Sequence, residues 1–194
     1  YHLVRNNAAV LPRTFDDAVF DFYGKTLNGQ PQQRERWKRA VDAVNGSLGE
    51  AVGQIYVQRH FSPEAKAQMV DLVENLRRAY GERIDQSPWM SAETKVIARE
   101  KLATFRPKIG YPDRWKDYST LEVRAGDAFG NAKRFQIWDW QFDLGRLGHA
   151  SDRDEWFMTP QTVNAYYNPV FNEIVFPAAI LQPPFFDPNA DAAV

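Results

Sequence analysis

Apolar residues recur at helical spacing over most of the first 149 residues. The clearest case follows Ser62-Pro63, residue types that favour a helix start, and its apolar stripe runs over 69–84. The same spacing predicts further helices over about 14–23, 31–56, 91–105 and 126–149. Gly46, Gly49 and Gly53 lie inside the second of these and predict a bend or a close contact between helices.

The pattern changes after residue 160. β-branched and aromatic residues over 163–167 and 174–176 predict two short strands, which the turn residues Asn168-Pro169 separate. The segment 109–112 is predicted to be a loop. The apolar, proline-rich run 177–186 fits neither a regular helix nor a central strand, so its side chains are expected to line something. We therefore predict a mainly α fold with a small β-hairpin or edge strands near the C-terminus.

The composition of the chain argues against several classes of function. The chain has 194 residues, of which 44% are hydrophobic and 25% charged, as in an ordinary folded domain. Its formal net charge of -1 provides no positive field for nucleic acid. No apolar run approaches the roughly 20 residues that cross a bilayer, so no membrane segment is expected in this chain. Cysteine is absent and the histidines His2, His60 and His149 are far apart, so no metal site is predicted.

The C-terminal part carries a more specific signal. The run Asn164-Ala165-Tyr166-Tyr167, followed by IVFPAAILQPPFF over 174–186, closely resembles the neprilysin and endothelin-converting-enzyme family of zinc endopeptidases. Segments similar to the same family lie in the same order at 36–38, 48–57, 89–90, 93–95 and 109–112. The resemblance covers most of the chain. It implies that the chain is part of a zincin-like α+β metallopeptidase with a large helical domain.

The resemblance also implies a division of the chain. Residues 1–55 would be the end of the large helical domain that caps the cleft, and residues 56–194 the first part of the catalytic domain. In this family the Pro-Pro-Phe-Phe run is followed by a helix bearing H-E-x-x-H, whose histidines bind zinc and whose glutamate is the general base. The sequence ends before that motif. We therefore expect an internal fragment that is inactive alone, with no catalytic residue or metal ligand of its own. Zinc would be bound in the full-length protein, and the remaining part of the same protease would be its partner.

Five residues receive a substrate-binding role through the resemblance. Asn164 and Ala165 correspond to the pair on an edge strand that hydrogen-bonds the substrate backbone, and such an edge can bind an extended peptide as an added strand. Tyr166 would lie beside that strand, near the cleft. Ile180 and Phe185 correspond to residues of the apolar pocket for the residue after the cleaved bond. This implies cleavage of oligopeptides on the amino side of hydrophobic residues.

Other interpretations of these residues stay open. Without the resemblance, Asn164 is more typical of a turn or cap, and Ile180 and Phe185 of plain core. The alternative function is a non-enzymatic helical interaction module, which the presence or absence of H-E-x-x-H in the gene just beyond Val194 would distinguish. Animal members of the family are disulfide-rich ectodomains, so the absence of cysteine favours a bacterial source. A periplasmic or extracellular location is then expected, with a cytoplasmic one left open.

Overall fold

The computed structural model describes residues 2–191. Its α-helices are α1 (His2–Asn7), α2 (Arg13–Val19), α3 (Arg36–His60), α4 (Pro63–Gln86), α5 (Ala92–Ala103) and α6 (Ala128–Leu144). A short 3-10 helix at Ala8–Val10 precedes α2, and a π-helical segment at Phe20–Leu27 follows it. The strands are β1 (Arg106–Gly110), β2 (Tyr166–Asn168) and β3 (Glu173–Pro177). The predicted mainly α fold with a small sheet near the C-terminus is confirmed. Across residues 2–191, no helix has the length and apolar character needed to cross a membrane.

The chain forms two compact units, and each is discontinuous in sequence. Unit 1 comprises Tyr1–Gly49 and Lys116–Ser151, and unit 2 comprises Glu50–Trp115 and Asp152–Val194. The grouping of 116–151 with the N-terminal residues has no counterpart in the sequence analysis. The assignment of 1–55 and 56–194 to the two domains of the family stays a prediction.

Helices α4 and α5 begin where the sequence predicts, because each start is fixed by local chemistry. The Oγ atom of Ser62 accepts a hydrogen bond from the backbone N–H of Ala65 at 3.2 Å, and Pro63 occupies the first turn. The Oγ atom of Ser91 accepts in the same way from the N–H of Thr94 at 3.2 Å. These serines satisfy backbone donors that the first helical turn leaves without partners.

The glycine-rich part of α3 has the bend that the sequence predicts, and it makes a close contact with a loop. The backbone of Leu48 departs from helical geometry, with φ -107° and ψ 29°, so the helix bends there. A β-carbon on Gly53 would lie 2.7 Å from Cδ of Pro160, a distance too short for any larger residue. The close contact is therefore with the loop at residue 160 rather than with a second helix.

The small sheet lies in unit 2, and one of its faces packs on α4. The strand order is β1-β3-β2, with β1 parallel and β2 antiparallel to β3. Ile109 of β1 is only 4% exposed and belongs to a core cluster that includes Met69 and Val73 of α4. Phe176, the partner of Ile109 in β3, packs against the same cluster.

Two strand predictions are wrong in detail. Ile109 and Gly110 are predicted to lie in a loop, yet they end β1. This strand depends on pairing with β3, a contact that local sequence does not encode. The strand predicted over 163–167 begins only at Tyr166, so Asn164 and Ala165 precede it.

Candidate substrate-binding strand

Strand β2 lies at one edge of the sheet. It pairs with β3 on one side, with Tyr166 opposite Val175 and Asn168 opposite Glu173. In the described part of the chain no strand pairs with its other side. Backbone groups along such an edge can pair with an extended peptide.

Asn164 and Ala165 lead directly into this edge. The side chain of Asn164 is exposed, and its Oδ1 atom accepts a hydrogen bond from the backbone N–H of Ala165 at 2.8 Å. The N–H of Asn164 donates to the carbonyl of Thr162 at 3.0 Å, which closes a turn just before the strand. No described residue bonds the Nδ2 group of Asn164, so this amide can serve as a donor.

Tyr166 points inward rather than toward the free edge. Its hydroxyl accepts a hydrogen bond from the backbone N–H of Phe157 at 3.0 Å, and the two rings lie 6.1 Å apart. Burial raises the pKa of the Tyr166 hydroxyl; the N–H of Phe157 partly opposes the shift, and the charges of Glu173 and Glu155 add to it. This side chain therefore attaches residue 157 to the sheet, and a direct substrate contact stays a prediction.

An ion pair is buried on the sheet face opposite α4, which we call the polar face. Lys108 of β1 places its Nζ atom 2.8 Å from Oε2 of Glu173 in β3, and the side chains are 5% and 0% exposed. The contact lacks the angular geometry of a hydrogen bond, and neither carboxylate oxygen has a hydrogen-bond donor among the described residues. Lys108 also donates to the backbone carbonyl of Glu155 at 2.9 Å. No pattern in the sequence marks either charged residue as part of a site.

The segment 155–164, which leads from the contact of Lys108 to Asn164, is held against the sheet at several points. Besides the bonds at residues 155 and 157, the carbonyl of Pro160 accepts from the N–H of Ala179 at 2.9 Å. The hydroxyls of Thr159 and Thr162 lie 3.0 Å apart, within hydrogen-bond distance. The path of the chain into β2 is therefore fixed at several points.

The two predicted pocket residues have different surroundings. Ile180 is half-buried and packs against the core cluster of unit 2. Phe185 is 70% exposed, and its N–H donates to the carbonyl of Gln182 at 2.9 Å. A shared pocket of Ile180 and Phe185 stays a prediction.

Unit 1 contains a separate groove of about 1140 Å³. Its walls include Val10, Leu48 and Phe135, and its rim includes Arg39, which pairs with Asp16 at 2.6 Å. All five predicted substrate-binding residues belong to unit 2.

The mainly α fold with its small sheet is zincin-like, because it matches the fold of a solved zinc metalloprotease with a TM-score of 0.89. Two models of peptidase family M13 match it, one over residues 1–112 and the other over residues 164–194. The chain therefore belongs to peptidase family M13. This confirms the resemblance to neprilysin and endothelin-converting enzymes.

Individual relatives align along nearly the whole chain. Endothelin-converting enzyme 1 of Homo sapiens is 34% identical over 201 residues, covering 100% of this chain and 26% of that protein. Neprilysin of Homo sapiens is 33% identical over 194 residues, which cover 96% of this chain and 26% of neprilysin. A solved structure of the Mycobacterium tuberculosis zinc metalloprotease ZMP1 with an inhibitor has a TM-score of 0.89 and 52% identity, covering 98% of this chain and 29% of that one. The chain thus spans about a quarter of the length of its curated relatives.

The zinc that the family implies has no ligand set among the described residues. Within residues 2–191, no group of three histidine, cysteine, aspartate or glutamate side chains could hold a metal ion. His60 instead packs its ring against Tyr56, with the centroids 5.0 Å apart. The described residues therefore do not fit a zinc site.

Proposed function

We propose that the chain is the substrate-binding part of a zinc-dependent endopeptidase, in which Asn164, Ala165 and the edge of β2 hold the peptide backbone. The observation that carries the proposal is the free edge of β2, directly preceded by an exposed asparagine amide. Membership of family M13 supports the peptidase activity and the zinc, which the full-length protein would supply.

The proposed binding mode follows from hydrogen-bond chemistry. An extended peptide presents a carbonyl and an N–H at each residue, and the open side of β2 can pair with them as a further strand. The Nδ2 group of Asn164 donates to one peptide carbonyl at the point where the strand begins. This contact fixes the register of the peptide, which in turn decides which bond is cleaved.

The proposed specificity is for oligopeptides cleaved on the amino side of hydrophobic residues. Ile180 provides a packed apolar surface and Phe185 an exposed ring that a bulky substrate side chain can cover. Covering such surface is favourable because it removes apolar area from water. The bacterial, periplasmic or extracellular origin stays a prediction.

Asn164→Ala in the full-length protein tests the role of the strand. We expect kcat/KM for a peptide with a bulky apolar residue after the cleaved bond to fall by about 5- to 150-fold. This corresponds to about 1–3 kcal/mol for a peptide group that loses its partner. Zinc content and thermal unfolding temperature should stay at wild-type values, since the side chain is exposed.

The matched control is Asn75→Ala, which removes an exposed asparagine that bonds Arg78 within α4. It should leave kcat/KM unchanged. An unchanged kcat/KM in Asn164→Ala would refute the substrate role, and a loss accompanied by unfolding would indicate a structural role. A wild-type protein that cleaves no peptide would favour the non-enzymatic interaction module.

Phe185→Ala tests the pocket. We expect kcat/KM to fall about tenfold for a peptide with phenylalanine after the cleaved bond and to change little for one with alanine there, because the apolar contact is lost. Val170→Ala is the control, since Val170 is an apolar residue that is 85% exposed in the β2–β3 turn. Equal effects of Phe185→Ala on both peptides would contradict the pocket.

A further inference from the structure

The buried pair of Lys108 and Glu173 is not accounted for by stability. Burying two charges costs free energy that is recovered only when their polar atoms all find partners. Here Oε1 of Glu173 has no donor within the described residues, although the side chain is fully buried. Replacing buried ion pairs by apolar residues of similar volume is often neutral or stabilising. An apolar pair would therefore hold β1 and β3 together at least as well.

The feature that an apolar pair cannot reproduce is the second contact of Lys108. Its ammonium donates to the backbone carbonyl of Glu155 at 2.9 Å, outside the sheet. Residue 155 begins the segment that runs to Asn164. Lys108 thus connects β1 to the part of the chain that leads into the candidate binding strand.

Two more anchors hold the same segment. The hydroxyl of Tyr166 accepts from the N–H of Phe157, and the carbonyl of Pro160 accepts from the N–H of Ala179. Arg106 of β1 also holds the two residues before the segment, through the carbonyl of Arg153 at 2.9 Å and the carboxylate of Asp154, but these side chains are exposed. The bond from Lys108 is charge-assisted and buried, and it reaches the first residue of the segment itself. Losing it leaves the start of the segment held only by the exposed contacts of Arg106, while the core on the α4 side stays intact.

The geometry points to Lys108 as a positioning residue for the substrate-binding strand, with Glu173 as the countercharge that offsets its burial. Lys108 holds the segment 155–164 on the polar face, and Asn164 and Ala165 are thereby presented at the free edge of β2. Lys108 acts through the backbone of this segment, and Glu173 acts through Lys108. The inference rests on the proposed substrate role of Asn164 and Ala165.

The test uses the full-length, zinc-loaded protein and separates positioning from stability. Lys108→Met combined with Glu173→Met removes both charges and keeps the volume, so the unfolding temperature should stay near that of wild type. The carbonyl of Glu155 still loses its donor. We expect KM for an oligopeptide to rise about tenfold, with kcat within about twofold of wild type.

Ile109→Val is the matched control, because Ile109 adjoins Lys108 in β1 and faces the core on the opposite side. It should lower the unfolding temperature without changing KM. A wild-type KM in the folded double variant would show that the pair is only structural and would overturn the inference. Should the double variant not fold, Lys108→Gln combined with Glu173→Gln gives the same readout, because both side chains are then neutral and the glutamine at 108 is one bond shorter than lysine and falls short of Glu155.

Asn164→Ala in the same assay separates the two proposals. If Asn164→Ala leaves kcat/KM unchanged, the proposed function fails and the positioning role fails with it. If Asn164→Ala lowers kcat/KM while the double variant binds peptide as wild type does, only the positioning role is overturned. A lowered kcat/KM in Asn164→Ala together with a raised KM in the double variant supports both the proposed function and the positioning role.

Discussion

Gly110→Ala is expected to destabilise unit 2 by about 2–5 kcal/mol. Gly110 ends β1 with φ +81°, a conformation that costs a residue with a β-carbon about 1–2 kcal/mol. The added β-carbon would also lie 2.5 Å from Cε1 of Phe61, a buried residue of the core cluster, and such overpacking costs about 1–3 kcal/mol. The measurement is urea or thermal unfolding of the full-length protein, with hydrogen exchange of the peptide around Ala178, whose N–H donates to the carbonyl of Gly110 at 2.8 Å.

The two causes can be separated by a second substitution. Gly110→Ala combined with Phe61→Leu removes the atoms that the new β-carbon would meet, so part of the loss should be recovered relative to the sum of the single variants. Strictly additive losses would contradict the clash and would leave the positive φ at residue 110 as the cause of the lost stability. A wild-type stability of Gly110→Ala would contradict both.

Asn172→Ala is expected to cost about 2–4 kcal/mol, because one side chain there joins three parts of unit 2. Its Nδ2 atom donates to the carbonyl of Lys101 at 2.8 Å and to Oγ1 of Thr104 at 2.9 Å. Its Oδ1 atom accepts from the hydroxyl of Tyr167 at 2.8 Å. The residue also has φ +50°, in the left-handed region. Unfolding of the full-length protein by urea measures the loss.

Asn172→Gly is the control for the backbone. Glycine loses the same three hydrogen bonds but adopts a positive φ readily, so it should be about 1 kcal/mol more stable than the alanine variant. An alanine variant as stable as wild type would show that the three bonds contribute nothing. Equal stability of the glycine and alanine variants would show that the turn relaxes to another conformation.

The parts of the fold that could be predicted from sequence are those fixed by neighbouring residues. The starts of α4 and α5 follow from Ser62-Pro63 and Ser91, whose side chains bond backbone groups three residues away. Strand β1 was missed because it contains Pro107 and ends at Gly110, and both residue types normally argue against a strand. Its formation depends on β3, which lies far along the chain.

The residues of the candidate site also differ in whether the sequence predicts them. Asn164 and Ala165 were found through the resemblance, and the structure adds that they precede β2 rather than lie in it. Lys108 and Glu173 could not be recognised, because a lysine and a glutamate are ordinarily exposed and only their pairing across the sheet explains their burial. The inward direction of Tyr166 likewise depends on Phe157, a contact that no local pattern predicts.

The parallel pairing of β1 with β3 sets the order in which the protein can form while it is being synthesised. The partner strand is translated about 70 residues after β1, which takes several seconds at about 5–20 residues per second. During that interval the ammonium of Lys108 must stay hydrated, since the carboxylate of Glu173 does not yet exist. The sheet, and with it the path of the chain into β2, can therefore form only after β3 has been synthesised. A nascent chain stopped just short of β3 would have no sheet to present a binding edge.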